Sequence, residues 1–321
     1  MAPRRPAYTA TMRAWLALIL AAAACGSGGG GTGDDDDQPD AAIDAPQDGS
    51  TQPGWTSLIE RGWSLQPSTE DFKCVRVKVP ADTYISGFRV KSPPGTHHEL
   101  LTISTTAIPL GEYECDALNT DMQMLYAGGI ATDPLVFPPG VAIKLPANTY
   151  INLNLHIANF TDQPITCTPP ACTSGIEIKT LPASEVVHEA EAIFLGTFDI
   201  HIPPMSTGWQ ELGSCSVPQE WTVLDFWPHM HSYGKQQRIK VRRNGGATET
   251  ILDQPYTYTE QKNYPMPNMQ IHVNDELQIE CIYNNPTMYE LTYGDSATQE
   301  MCFAGFYKYP ATGLTKYFCA Q

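Results

Sequence analysis

The chain has 321 residues, a formal net charge of −16, 27 prolines and 25 glycines. Such an acidic chain is not expected to bind nucleic acid or an anionic lipid surface, because both partners are themselves negatively charged. The length allows one large domain or two of ordinary size.

The N-terminus predicts a leader rather than folded structure. Arg4, Arg5 and Arg13 precede an apolar run that ends at Cys25 and is too short to span a membrane. The stretch LILAAAAC resembles a lipoprotein signal, in which Cys25 is lipidated and becomes the new N-terminus, although plain signal-peptidase cleavage remains the alternative. We therefore expect residues 1–24 to be a signal peptide of an exported cell-envelope lipoprotein, on the periplasmic or outer-membrane face.

Residues 25–54 predict a flexible tether. After Cys25 this stretch is rich in glycine and contains seven aspartates and no basic residue, so it has almost nothing to bury. No later segment reaches membrane-spanning length, and the lipid is therefore expected to be the sole membrane attachment. We expect the folded body to be a monomer whose partners are small molecules.

Strand patterns dominate the rest of the chain. The stretch CVRVKVP alternates apolar and charged residues, and QRIKVRRNGG does the same before a strong hairpin-turn signal, Asn244-Gly245. Helical periodicity of any length is hard to find in the chain, which prolines and glycines interrupt throughout. The prediction is an all-β protein with two tandem β-sandwich (jelly-roll-like) domains, residues 55–184 and 185–321.

The cysteines support this division. Beyond Cys25 there are eight, four before the predicted boundary and four after it. An even number behind an export signal indicates four disulfides, which two domains could close separately.

The first paired histidines are His97 and His98, in GTHHELLTIS. Adjacent residues on a regular strand point to opposite faces, so these two can share one metal ion only at a strand end or a bend. Pro93, Pro94 and Gly95 immediately upstream favour such a distortion. The alternative is one exposed and one buried imidazole.

A third histidine, His156, lies in YINLNLHIAN. Four aliphatic residues of this stretch share one face: Ile151, Leu153, Leu155 and Ile157. His156 is on the other face, which predicts an imidazole directed at solvent or a cleft.

The stretch WPHMHSYG carries a second pair, His229 and His231. On a strand both imidazoles lie on the same side, about 7 Å apart, while Met230 points to the core together with Leu224 and Phe226. The alternative is an ordinary polar strand face. Met301 is the candidate third donor, and a thioether beside imidazoles favours copper over zinc, although most methionines only fill gaps in a core.

Taken in order, HHEL, LNLHIAN, HMHSYGKQQRIKVRRNG, ECIYNN and EMCFAGFYKYP resemble the copper type II, ascorbate-dependent monooxygenases. The family includes the peptidylglycine α-hydroxylating and dopamine β-hydroxylating enzymes. The resemblance implies two β-sandwich domains with one copper each, facing an open, solvent-filled cleft. It also implies O2 and a reductant such as ascorbate as co-substrates.

The resemblance assigns six ligands to two copper sites. The electron-accepting copper would be held by three residues of the first half: His97, His98 and His156. The copper that binds dioxygen and substrate would be held by three residues of the second half, which are therefore the catalytic candidates: His229, His231 and Met301.

The family also has disulfides that match cysteines of this chain. They imply Cys281–Cys302 and Cys215–Cys319 in the second half. In the first half they imply Cys74–Cys172, which leaves Cys115–Cys167 by elimination. Cys74–Cys115 with a local Cys167–Cys172 loop is the alternative.

Three positions depart from the peptide-amidating members of the family. Trp227 stands where those enzymes have an arginine, and Phe303 and Gly305 replace an asparagine and a tyrosine. A peptide carboxylate would find no matching clamp. Trp227 and Phe303 are therefore candidate substrate residues for a more apolar or aromatic small molecule.

Two other functions compete with a monooxygenase. A non-enzymatic copper-binding or copper-buffering lipoprotein could keep the same ligands. A zinc hydrolase is disfavoured by Met301 and by the lack of a well-placed carboxylate ligand. The remaining histidines match no motif and are interpreted as ordinary structural or surface residues: His188, His201 and His272.

Overall fold

The computed structural model describes residues 54–116, 123–129, 132–258, 262–294, 296, 298–313 and 318–319. The predicted signal peptide, Cys25 and the tether up to residue 53 lie outside these residues. Within the described part of the chain, no helix combines the length and the apolar character needed to cross a bilayer.

The first half is built from strands that form two facing sheets. One sheet has the order β1-β12-β4-β9 and the other β6-β3-β10-β5-β7. The aliphatic face of β10 packs between them in the first core, as the alternation in YINLNLHIAN predicts. The strands are β1 Thr56–Arg61, β2 Trp63–Leu65, β3 Thr69–Lys78, β4 Thr83–Lys91, β5 Thr96–Ser104, β6 Gly111–Glu114, β7 Gln123–Gly129, β8 Leu135–Val136, β9 Val141–Leu145, β10 Tyr150–Asn159, β11 Ile165–Cys167 and β12 Ser174–Leu181.

The second half repeats this plan. Its main sheets have the orders β13-β22-β16-β19 and β15-β20-β17-β18, and they enclose a second core. The strands are β13 His188–Thr197, β14 His201–Ile202, β15 Ser206–Ser216, β16 Trp221–His229, β17 Gly234–Arg242, β18 Thr248–Pro255, β19 Tyr264–Ile271, β20 Glu276–Asn285, β21 Leu291–Thr292, β22 Cys302–Tyr309 and β23 Phe318–Cys319.

The two halves share a sheet. One turn of 3-10 helix, Ala183–Glu185, separates β12 from β13, and β13 then runs parallel to β9, with His188 opposite Val141. This pairing joins one sheet of each half into a single ten-stranded sheet, and all described residues belong to one compact unit. The predicted all-β class is confirmed. The predicted boundary at 184/185 falls in the 3-10 turn and stays a prediction.

The disulfides of the second half are those that the resemblance implies: Cys281–Cys302 and Cys215–Cys319. Those of the first half correct the prediction. Cys74–Cys172 and Cys115–Cys167 are wrong, and the alternative pairing, Cys74–Cys115 with Cys167–Cys172, is found.

Strand pairing explains the corrected connectivity. β6 pairs with β3 so that Tyr113 lies opposite Cys74, which brings Cys115 close, with 5.9 Å between the two Cα atoms. A turn closed by a hydrogen bond from the Cys172 amide to the Thr168 carbonyl holds Cys172 beside Cys167. Those two Cα atoms are 4.8 Å apart.

A bulge corrects one further expectation. The register of β16 shifts between Val223 and Asp225 against both of its neighbours. A bulge turns the side chains on its two sides relative to each other. Leu224 consequently packs in the first core, whereas Phe226 and Met230 pack in the second, so the prediction that all three share one face is wrong.

Candidate metal centres

The first histidine cluster, His97, His98 and His156, lies where β5 and β10 pair irregularly. His98 is opposite His156, but the next pair is Thr96 with Ile157, so His97 is an extra residue in β5. Such a bulge lets two adjacent side chains point to one side of the sheet. Gly95, with φ +98°, precedes it and supplies the bend that the sequence favours.

The three rings of the first histidine cluster converge on one point. Their centroids are 5.2 Å apart for His97–His98, 5.0 Å for His97–His156 and 4.8 Å for His98–His156. One ring nitrogen from each residue lies within 4.8 Å of the others, and the Nδ1 atoms of His97 and His98 are 3.0 Å apart. Three imidazoles this close are able to hold one metal ion.

Neighbours on β3 bury His156. Phe72 stacks on its ring, with centroids 4.5 Å apart, and the Glu70 carboxylate lies 3.3 Å from its Nε2. The side chain is on the face opposite the aliphatic one, as predicted, but it is buried rather than open to solvent. Its Nδ1 is buried and has no hydrogen-bond partner among the described residues.

Burial keeps these imidazoles neutral. It lowers the pKa of His98 well below the ordinary value, helped by the charges of His156, His97 and His229. Burial also lowers the pKa of His97 and of His156, although Glu70 opposes both shifts. The neutral imidazole is the form that binds a metal ion, so the cluster is in its ligand form at neutral pH.

The second cluster consists of His229, His231 and Met301. His229 is the last residue of β16 and His231 follows two residues later, with ring centroids 5.4 Å apart and planes at 90°. Met230 between them is fully buried in the second core, as strand alternation predicts. Its sulfur therefore faces away from the two imidazoles.

Met301 comes from the adjacent strand. It immediately precedes β22, in which Phe303 lies opposite His229, and its side chain is buried. The Cys281–Cys302 disulfide anchors the next residue to β20, and the Tyr283 hydroxyl donates a hydrogen bond to the Met301 carbonyl at 2.6 Å. The backbone at Met301 is thus fixed beside the end of β16.

The carboxylate of Glu300 ties the two strands together. It accepts hydrogen bonds from the amides of His231 at 2.9 Å, Tyr233 at 2.7 Å and Met301 at 3.3 Å. Burial raises the pKa of Glu300 to about 7, against the opposing effect of these bonds. Sequence reasoning missed this residue, although a carboxylate directly before the candidate ligand was a usable signal.

We expect Glu300→Gln to weaken copper binding at the second cluster by about 10–100-fold, as is usual when a group that orients a ligand is lost. In the wild type, the backbone N–H groups of His231 and Tyr233 donate to the two carboxylate oxygens of Glu300. A glutamine side chain would replace one of these acceptor oxygens with an NH2 group, which cannot accept a hydrogen bond. Chelator competition would measure the affinities of both clusters. Glu290→Gln, at a half-exposed carboxylate bonded to His201, is the matched control, and equal affinities in both variants would contradict the role of Glu300.

A backbone contact fixes the tautomer of His231. Its Nδ1 lies 3.1 Å from the Gln299 carbonyl, so this nitrogen carries the proton and donates it. Nε2 then bears the lone pair. An imidazole oriented in this way is prepared to coordinate through Nε2.

Tyr258 contacts one histidine of each cluster. Its ring centroid is 6.4 Å from that of His97 and 6.2 Å from that of His231. Burial, followed by the charges of Glu70 and Glu300, raises its pKa, so the phenol is neutral. An aromatic ring therefore contacts both His97 and His231, and the open, solvent-filled cleft that the resemblance implies stays a prediction.

Comparison with known proteins agrees with this geometry. Residues 188–321, which contain the whole second cluster, match the profile described as "Copper type II ascorbate-dependent monooxygenase, C-terminal domain". The second half of the chain is therefore similar to the C-terminal domain of this family.

Two curated relatives extend the match into the first half. The "Putative DBH-like monooxygenase protein 2" of Homo sapiens is 25% identical over 244 residues, covering 68% of this chain and 48% of the relative. The "DBH-like monooxygenase protein 2" of Mus musculus is also 25% identical, over 68% of this chain and 39% of the relative. The chain thus spans about half the length, or less, of these relatives.

A direct contact explains why Trp227 and Gly305 occur together. These are two of the positions at which the chain departs from the peptide-amidating members of the family. They lie opposite each other in the pairing of β16 with β22. A Cβ atom built on Gly305 would come within 1.9 Å of the Trp227 indole, which also packs against Phe194 and Tyr307. The indole fills the space that a side chain at position 305 would need.

We expect Gly305→Ala to destabilise the fold by about 1–3 kcal/mol, because the new methyl group would overlap the buried indole. Urea unfolding would measure the loss. The double variant Gly305→Ala/Trp227→Leu should recover part of it, since the smaller side chain makes room. Additive losses in the double variant would show that the two residues do not share this space.

Phe303 is the second candidate substrate residue and begins an aromatic cluster. It is buried over Gly196, and its ring contacts those of Phe198 at 5.1 Å, Phe318 at 5.5 Å and Tyr293 at 6.2 Å. Phe198 is 49% exposed, so this cluster reaches the surface. The substrate roles of Trp227 and Phe303 stay predictions.

Proposed function

We propose that this protein is a copper-dependent monooxygenase that hydroxylates a C–H bond of a small organic substrate with O2 and a one-electron reductant such as ascorbate. The observation that carries the proposal is the pair of clusters, one in each half of a chain whose second half is similar to the C-terminal domain of this family. One cluster has three imidazoles, and the other has two imidazoles and a buried methionine whose backbone lies next to the end of β16.

The donors fit two copper ions per chain. Imidazole accepts both oxidation states of copper, and a thioether favours the reduced state. The buried, unpartnered Nδ1 of His156 is costly unless a further group satisfies it, which a metal ion would do. When bound, copper supplies one-electron redox chemistry and reactivity towards dioxygen.

The chain's own residues position and protect this chemistry. Phe72 and Glu70 hold His156, while Glu300 fixes His231 and Met301 relative to each other. Trp227 and Phe303 are each only 5% exposed and form an apolar wall along the strands that carry the second cluster. Such a wall excludes water from a reacting site.

The same wall favours an apolar or aromatic substrate. Trp227 offers no cation to a substrate carboxylate, and its indole occupies the space over Gly305. We therefore propose that glycine-extended peptides are poor substrates. Small apolar and aromatic compounds are the better candidates.

We also propose that the protein is exported and carries a lipid at Cys25. The four disulfides support export, because such bonds persist in oxidising compartments. Mass spectrometry of the membrane-extracted protein would test the lipid. An unmodified N-terminus downstream of Cys25 would contradict it.

Oxygen consumption tests the proposed activity. The copper-loaded protein is mixed with ascorbate and a panel of small apolar compounds, aromatic compounds and glycine-extended peptides, and product is quantified in parallel. We expect oxygen use that depends on an apolar or aromatic compound and matches the product formed. Two bound copper ions without product would instead indicate a copper-buffering protein, and preference for the peptides would contradict the substrate class.

A further inference from the structure

Tyr258 is the one described residue whose ring is found in contact with rings of both clusters. It follows β18 and is half-buried against the second core. Its ring lies 6.4 Å from His97 at 39° and 6.2 Å from His231 at 80°, measured between centroids. His97 belongs to the first histidine cluster and His231 to the second.

We propose that the ring of Tyr258 is the bridge through which an electron passes from the first histidine cluster to the second. The inference rests on the proposed function and adds a positioning residue to it. One electron leaves the first cluster and one arrives at the second. Tyr258 starts and ends in the same redox state, and no proton moves.

The contacts assign this role to the ring rather than to the hydroxyl. Both are contacts between aromatic rings, measured from ring centroid to ring centroid. An aromatic ring keeps the path between the two imidazoles within the protein. Replacing it with an aliphatic side chain would leave a gap that water or a less polarisable group must fill.

The two imidazoles that Tyr258 contacts are positioned independently of it. One belongs to the first half of the chain and the other to the second. The bulge in β5 positions His97, and Glu300 positions His231. Tyr258 thus contacts two imidazoles that other parts of the chain hold in place.

Three variants test the bridge. Tyr258→Phe keeps the ring, Tyr258→Leu removes it, and Tyr84→Leu is a matched control on β4, where Lys144 lies over the ring. One electron is injected into the fully oxidised copper protein in the absence of substrate. Freeze-quench EPR then follows the two copper(II) signals separately, and copper per chain is counted for each variant.

We expect Tyr258→Leu to slow electron transfer between the clusters, because the variant lacks the ring that contacts both of them. Tyr258→Phe and Tyr84→Leu should match the wild type, and all should bind two copper ions. In the copper-free protein, NMR should show that Tyr258→Leu shifts the imidazole signals of both His97 and His231. Tyr84→Leu should shift neither.

Several outcomes would overturn the bridge. These are undiminished transfer in Tyr258→Leu, a loss in Tyr258→Phe as large as in Tyr258→Leu, or no transfer in the wild type. A wild type that transfers the electron but forms no hydroxylated product with any compound would overturn the proposed function instead. The electron-transfer rates and the NMR signals of the imidazoles would then still support the role of Tyr258.

Discussion

Met301→Ala is expected to lower kcat/KM by about a hundredfold or more, because the variant loses a proposed copper ligand rather than a group that merely orients one. The first histidine cluster should keep its copper, since Met301 immediately precedes β22 in the other half of the chain. The fold should also survive, because the backbone at Met301 is held by Tyr283 and by the neighbouring disulfide.

Copper per chain and kcat/KM together test this expectation. Met288→Ala is the matched control, because Met288 is 83% exposed and lies in the turn after β20. Unchanged turnover in Met301→Ala would remove Met301 from the mechanism. Loss of copper from both clusters would show that the variant disturbs more than one site.

Asp225→Asn is expected to stabilise the folded protein at neutral and alkaline pH. Asp225 is fully buried in β16, and neither carboxylate oxygen has a hydrogen-bond partner among the described residues. Burial raises the pKa of Asp225 from the ordinary 3.8 to about 8. A negative charge on Asp225 also contributes to the raised pKa of the Tyr126 and Tyr307 hydroxyls. An amide removes the cost of either protonating or burying a charge.

The raised pKa of Asp225 determines how the free energy of unfolding changes with pH. In the unfolded chain the carboxyl ionises near pH 3.8, whereas in the folded protein it stays protonated to about pH 8. Wild-type stability is therefore highest below the unfolded pKa, falls as the pH rises between the two values, and levels off above the folded one. The advantage of Asp225→Asn should grow over that window to an upper limit of about 6 kcal/mol.

Urea unfolding of the copper-free protein at about pH 4, 6 and 8.5 would measure this advantage. Asp133→Asn, at an exposed position, is the control and should show no growing difference. A constant difference between Asp225→Asn and wild type at all three values would mean that Asp225 titrates normally. A stability advantage that decreases as the pH rises would mean that folding lowers the pKa of Asp225 rather than raising it.

Local periodicity made much of the fold and both histidine groupings predictable. Alternation alone put His229 and His231 on one side and Met230 in the core. It could not place His97 and His98 together, because that depends on a bulge whose geometry is set by pairing with β10. The proline-rich bend upstream indicated only that a distortion was favoured.

Long-range strand pairing determines two features that local sequence patterns do not predict: the first-half disulfides and the core in which Leu224 packs. The first-half disulfides depend on β6 lying beside β3, and no local pattern states which strands are neighbours. The bulge at Asp225 likewise moved Leu224 into the other core. In both cases a rule that holds along one strand failed where a second strand set the register.

The residues that support the clusters were the hardest to foresee. Glu300 acts on His231 across nearly seventy residues of chain, and Tyr258 meets His97 from the other half of the molecule. Neither belongs to a spacing pattern. The contact between Trp227 and Gly305 likewise became visible only once β16 and β22 were paired.

Isotope labelling tests the central claim most directly. The copper-loaded protein, ascorbate and the best compound of the substrate panel are incubated under ¹⁸O2, and the product is analysed by mass spectrometry. A copper monooxygenase predicts one ¹⁸O atom in the new hydroxyl group of each product molecule, with the other reduced to water. A hydroxyl oxygen derived from solvent, or oxygen consumption that leaves every compound unlabelled and unchanged, would contradict the account.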